Sequence, residues 1–142
     1  MKTAKPSTAQ HWLVKSEPEA YAWVDLVRDG STAWTGVRNY QARIHLNAMR
    51  AGDRVLFYES VTTKAVVGLT EVTRAAFADT TAEEPGWVAV ELKAVGPFSN
   101  PVTLAQIKSE PALADIALLR QSRLSVLPLS RIEFNLIVSL GK

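Results

Sequence analysis

The chain has 142 residues, enough for one domain with a proper core, and its 47 % hydrophobic and 21 % charged composition is that of an ordinary globular protein. It contains no cysteine, which removes disulfides, thiolate metal sites and cysteine nucleophiles together; its two histidines, His11 and His45, stand far apart, and no carboxylate cluster has metal-ligand spacing. A net charge of +2 permits an anionic partner without specifying one, and no apolar run approaches the roughly 20 residues needed to cross a bilayer.

In chain order, Met1 to Gln10 is polar and small and lacks the apolar segment of a secretory signal, so residues 1–10 read as a flexible leader before a single folded unit, 11–142. That absence and the missing cysteines fit a cytoplasmic protein. His11 to Lys15 reads as a first strand. Ser16-Glu17-Pro18-Glu19 has the pattern of a capping box and predicts a helix through Tyr21, Trp23, Val24, Leu26 and Val27 that ends at Gly30. Asn39 is positioned to cap a helix over Tyr40 to Arg50, with Ile44, Ala48 and Met49 facing inward.

Arg54 to Ser60 and Ala65 to Thr73 predict an antiparallel hairpin turning at Val61 to Lys64, and Gly68 within the second strand predicts a bulge or a close backbone approach. Ala75 to Pro85 reads as an acidic surface loop. Trp87 to Val95 alternates as a half-buried strand, and Phe98 to Pro101 as a turn. Thr103 to Gln106 is a capping box for a helix to Ser109, followed by a helical turn from Pro111 towards Leu118. A basic, hydroxyl-rich loop begins at Arg120 and becomes a short strand by Pro128, and Ser130 to Glu133 caps a last amphipathic helix. Five or six strands with helices inserted irregularly predict a small α+β domain with a curled, largely antiparallel sheet rather than a doubly wound one. The Ser-Glu-Pro repeated at Ser16 and Ser109 reads as two local helix starts, not an internal repeat.

Enzyme motifs are missing: there is no phosphate-binding glycine loop and no nucleophile elbow. Trp34 to Arg43 instead gathers two aromatics, two arginines, an Asn, a Gln and a glycine within ten residues. Rings stack on a flat ligand, amides read its edge and guanidinium groups hold an anion. The same residues also read as core aromatics and surface charges. Lys15 to Glu17 and Arg120 to Ser125 repeat the mixture of cations and hydroxyls at a junction of elements, and helix starts at Ser16 and Asn39 would offer free N–H groups.

Trp12-Leu13-Val14-Lys15-Ser16-Glu17-Pro18, Trp34-Thr35-Gly36-Val37-Arg38-Asn39-Tyr40-Gln41-Ala42-Arg43, Gly52 to Tyr58, Val67 to Leu69, Pro101 to Leu104 and Ser122 to Val126 together resemble the EVE domain family. This is the family of thymocyte nuclear protein and its small bacterial relatives, in the PUA-like superfamily with YTH and ASCH domains. The resemblance runs in family order from Trp12 to the C-terminus. It implies a PUA-like β-barrel flanked by helices, and a non-catalytic reader of DNA or RNA that takes a flipped, modified base such as 5-methylcytosine into a pocket beside the barrel. No cofactor, metal or membrane is implied.

Carried over, the base pocket would comprise Lys15, Ser16, Glu17, Trp34, Val37, Arg38, Asn39, Tyr40, Ser122, Leu124 and Ser125, with Tyr58 and Ser60 at its margin. Trp34 or Tyr40 would stack on the base; Asn39, Ser16 and Glu17 would read its edge; Arg38, Arg43, Arg120 and Arg123 would hold phosphates. Two departures stand out. The basic tail of the nuclear members is missing, which fits a bacterial, cytoplasmic protein, and the stretch from Arg74 to Gly86 is short. The resemblance also leaves two alternatives: an RNA-processing enzyme or enzyme-associated PUA-like module, and a plain interaction domain with a vestigial pocket.

Overall fold

The computed structural model describes residues 10–142. The expected leader lies outside the described residues but for Gln10, whose N–H donates to Asp53 Oδ1 at 3.0 Å. The elements are β1 (His11–Ser16), α1 (Trp23–Asp29), β2 (Ser31–Ala33), α2 (Tyr40–Ala48), β3 (Arg54–Glu59), β4 (Ala65–Ala78), β5 (Val88–Thr103), α3 (Leu104–Ser109), a 3-10 turn at Pro111–Leu113, α4 (Ala117–Arg120), β6 (Val126–Leu129) and α5 (Arg131–Leu140). One six-stranded sheet has the order β2-β5-β4-β3-β1-β6. Only β1 and β3 pair in parallel; the other neighbours are antiparallel. The sheet curls without closing, so the expected α+β, barrel-like architecture is the one found. No helix among the described residues is long and apolar enough to span a membrane.

The middle of the sheet explains its sequence. Val55, Leu56, Phe57 and Tyr58 are all buried because β3 is covered on both faces, which selects a continuous apolar run over alternation. Leu46 of α2 and Ile137 of α5 belong to the same core. Buried Asp53 ties three segments together: its carboxylate accepts N–H groups from Gln10, from the Trp12 indole and from Arg50, each at 3.0 Å. A buried carboxyl group that accepts from three donors is satisfied rather than a liability.

Gly68 meets both expectations placed on it. The β3–β4 register shifts between Phe57 and Tyr58, which pair with Gly68 and Val66, and the Trp23 ring lies so close that a Cβ on Gly68 would sit 2.5 Å from it. Trp23 in turn packs edge-on against Phe57 at 5.5 Å. Gly68→Ala should therefore push α1 off the sheet and destabilise the protein by about 1–3 kcal/mol. Thermal melting checks this; an unchanged Tm would mean that α1 shifts freely.

The capping boxes at Thr103 and Ser130 form as expected, each with the cap oxygen accepting at 3.1 Å and the reciprocal bond at 2.9 Å. Ser16 does not cap a helix. Its backbone is taken by the sheet, where Ser16 pairs with Glu59 and its carbonyl accepts the Ser60 N–H at 2.9 Å. Its hydroxyl donates to the Tyr21 carbonyl across a turn. The helix starts at Trp23 instead, where Asp25 and Glu59 carboxylates accept the Ala22 and Trp23 N–H groups at 2.8 Å. Of its expected stripe only Leu26 is fully buried; Val24 and Val27 are exposed. α2 ends at Ala48 and not at Arg50; its buried positions are Ala42 and Leu46, Met49 is buried just past its end, and of the expected inner face Ile44 is 60 % exposed and Ala48 is exposed too.

Three boundaries also differ. Ser31 to Ala33, too short to read as a strand, becomes one by pairing with the edge of β5. The acidic stretch after Ala75 is strand as far as Ala78, and Phe98 to Pro101 continues β5 instead of turning. Repeated register shifts between β4 and β5 let this long hairpin bend without ending.

Candidate functional site

Parallel pairing brings the C-terminal ends of β1 and β3 to the same edge, with Lys15 opposite Tyr58 and Ser16 opposite Glu59. β6 flanks β1 on the other side, so the α4–β6 loop arrives there too: the Lys15 N–H donates to the Ser125 carbonyl at 2.9 Å. The segment after β2 closes the third side. Between them lies a cavity of ≈ 820 Å³, within the size range of small-molecule sites.

Ten of the expected base-pocket residues line it: Lys15, Ser16, Glu17, Trp34, Val37, Arg38, Tyr58, Ser60, Ser122 and Ser125. Arg123, expected at a phosphate, lines it as well. Tyr21, Thr32, Lys64, Leu104 and Leu118 complete much of the wall and were not expected from the sequence. Tyr21 reads in the sequence as part of the α1 stripe but lies in the turn after Ser16, where its N–H donates to the Glu17 carbonyl at 2.9 Å.

The polar floor is donor-rich. The Lys15 ammonium donates to the Ser122 carbonyl at 2.7 Å, and burial holds its pKa below the ordinary lysine value. Tyr58 is buried and burial pushes its phenol pKa up, keeping it neutral. Its hydroxyl has no hydrogen-bond partner among the described residues. Lining cations are Lys15, Arg38, Lys64 and Arg123, against one carboxylate, Glu17. The site thus offers donors and positive potential to a ligand bearing acceptors or negative charge.

Trp34 forms an aromatic wall anchored in the core. It is 9 % exposed and meets Tyr21 and Phe57 edge-on at 6.3 and 5.7 Å, while its N–H donates to the Val90 carbonyl at 2.7 Å. Stacking wall and core aromatic are therefore the same residue. Beyond it Gly36 takes φ +84°, a turn conformation that strains other residues, and donates its N–H to Asp79 Oδ2 at 2.8 Å. Asp79 also accepts from Arg38 Nη1 at 2.9 Å and from the Thr81 N–H and hydroxyl at 2.8 and 2.6 Å. Burial alone would raise its pKa, but the bonds from Thr81, the Gly36 N–H and Arg38 outweigh that and hold it far below the usual carboxylate range. Asp79 is the anchor of the loop. Its one local signal is the Asx-turn spacing of Asp79-Thr80-Thr81.

Five expected site residues lie elsewhere. The Asn39 side chain caps α2, its Oδ1 accepting the Ala42 N–H at 2.9 Å, and it does not line the cavity. Leu124 is buried in the core. Arg120 Nε donates to the Asp115 carbonyl at 2.7 Å. Tyr40 and Arg43 project from α2 outside the cavity wall. Neither histidine lines the cavity, and among the described residues no three His, Cys, Asp or Glu side chains gather as metal ligands would. His45 is half-buried beside Trp12, and burial lowers its pKa.

The sequence matches the EVE domain family over residues 10–140. A protein of Rhodopseudomonas palustris, Rpa0253, solved by NMR, is 46 % identical with a TM-score of 0.89 over 94 % of this chain and 93 % of that one. Human thymocyte nuclear protein 1 is 31 % identical over 98 % of this chain and 77 % of that protein. Its crystal structure in complex with DNA containing 5-methylcytosine superposes with a TM-score of 0.86, covering 94 % of this chain and 98 % of that one. An ASCH protein of Zymomonas mobilis, 16 % identical, shares the fold with a TM-score of 0.59 over 94 % of this chain and 96 % of that one. With the family pattern spanning nearly every described residue, the chain belongs to the EVE domain family.

Proposed function

We propose that this protein is a non-catalytic reader of nucleic acid whose cavity takes a flipped, modified base of the 5-methylcytosine type. The observation that carries the reading is the cavity itself, which joins an aromatic wall, a donor-rich floor and four cations at one edge of the sheet. Its human relative in complex with 5-methylcytosine-containing DNA supports the ligand class. Trp34 and Tyr21 bound the plane of the base, Lys15 and Tyr58 donate to its acceptors, and Lys64 and Arg123 face the phosphates. Extruding a base costs a few kcal/mol, so preference for a modified one rests on fit at the cavity wall. A lone lining carboxylate with no histidine beside it supports a binding role over acid–base chemistry.

Fluorescence anisotropy at fixed salt, with DNA and RNA strands carrying cytosine, 5-methylcytosine, 5-hydroxymethylcytosine or N6-methyladenine, tests this. One modified base should bind several-fold more tightly than its parent base. Lys15→Met removes a charge-assisted donor, worth about 1.5–3 kcal/mol, and should weaken binding roughly tenfold or more; because it also deletes the bond to the Ser122 carbonyl, binding is compared at temperatures where both chains are folded. Binding that ignores both the modification and Lys15→Met would sink the proposal.

A further inference from the structure

Beside the cavity lies an aromatic ledge built on the first turns of α2. Tyr40 stacks on Trp87 with ring centroids 5.2 Å apart and planes 29° apart, and the Arg43 guanidinium lies 4.9 Å from one ring and 4.8 Å from the other. Trp87 is 8 % exposed and Tyr40 68 %. The stack therefore covers one ring and presents the other to solvent, whereas a stack serving only the core would bury both. The Arg43 guanidinium makes one hydrogen bond among the described residues, to the Gly86 carbonyl at 3.2 Å, and pairs with no carboxylate among them. Most of its donors remain available to an anion.

Arg38 joins this ledge to the cavity, lining the latter while its guanidinium sits 5.9 Å from the Trp87 ring. Tyr40 follows it by two residues, a reach of at most about 7 Å. We propose that Tyr40 and Arg43 form a second nucleotide site, which stacks the base next to the one in the cavity on the same strand and holds its phosphate. This rests on the reading that the cavity takes a base. Every base has a π-face, so the ledge adds affinity for a strand without adding preference for a modification.

The test titrates the full chain, Tyr40→Ala, Tyr40→Phe and Arg43→Gln against three probes. These are a short single-stranded DNA with one 5-methylcytosine, its unmodified twin, and 5-methyl-2′-deoxycytidine 5′-monophosphate alone. Tyr40→Ala should weaken both strands by about fivefold or more, lowering the ratio of strand to mononucleotide affinity, while Tyr40→Phe stays close to the parent. Because Tyr40 covers Trp87, Arg43→Gln serves as the variant that keeps both rings; it should lower strand affinity and reduce the salt slope by about one phosphate contact. Strand affinities that neither variant changes overturn the ledge. So does a Tyr40→Ala loss equal for strand and mononucleotide, which would place its effect in the cavity. The reader proposal fails separately, by a parent that distinguishes no modified strand of the panel above from its unmodified twin and ignores Lys15→Met; a Tyr40-dependent drop on both strands would still support the ledge. A parent that binds no strand overturns both.

Discussion

Asp79→Ala is expected to lower the melting temperature by several degrees and to abolish any preference among bases at temperatures where the chain is still folded. The carboxylate accepts from Gly36 and Arg38, which line the cavity, and from both Thr81 donors, so it ties the cavity wall to the β4–β5 loop. Deleting it leaves the Gly36 N–H unpaired and releases Arg38, a loss on the order of 2–3 kcal/mol for the broken bonds to a buried charge. Asp79→Asn should do part of the damage, since an amide accepts at one atom only. The pH dependence separates the two variants from the parent. The folded-state pKa lies below that of the unfolded chain, so as pH falls the unfolded state binds the proton first. Stabilisation by this group is complete above about pH 4 and declines as the solution becomes more acid. The gap in Tm between parent and Asp79→Asn should be widest near neutrality and narrow below about pH 4. A gap constant from pH 7 downward would show that Asp79 is not a charged anchor.

Local chemistry was legible where it decides structure alone, and illegible where a distant partner decides it. The boxes at Thr103 and Ser130 form where a strand hands directly over to a helix, each hydroxyl accepting the N–H three residues on; the same pattern at Ser16 fails because its carbonyl is taken by the Ser60 N–H just past β3 and its hydroxyl by the Tyr21 carbonyl. β2 exists only because β5 offers it an edge. Asp79 shares its stretch with Glu83 and Glu84 and reads as solvated, until Gly36 and Arg38 arrive from 43 and 41 residues away. The Trp34 to Arg43 string reads in the sequence as one recognition loop. It divides at Asn39, where the cap turns extended chain into helix: residues before it line the cavity, and after it Tyr40 and Arg43 turn outward to meet Trp87 while Ala42 turns into the core. Residue types told of aromatic and cationic recognition, but not that a helix start splits it into two places.

Trp34→Ala is expected to be the most damaging change in the cavity wall, and its loss of binding is not by itself a measure of stacking. The ring fills the space between Tyr21 and Phe57, and truncating such a buried aromatic costs about 3–5 kcal/mol. In a domain of this size that is a fall in Tm of about 10 °C or more. Binding should vanish with it, because the void removes the support of Tyr21 on the cavity side. Trp34→Phe separates the two roles. It keeps a ring on the same backbone, still donating to Val90, and should lose less stability while retaining part of the affinity. Scanning fluorimetry and anisotropy on both variants give the decision. If Trp34→Phe is as stable as the parent yet binds no modified base, the indole contacts the ligand through atoms a phenyl ring lacks. If it loses stability and affinity in proportion, Trp34 acts by holding the cavity open, and the face of the base rests on Tyr21 instead.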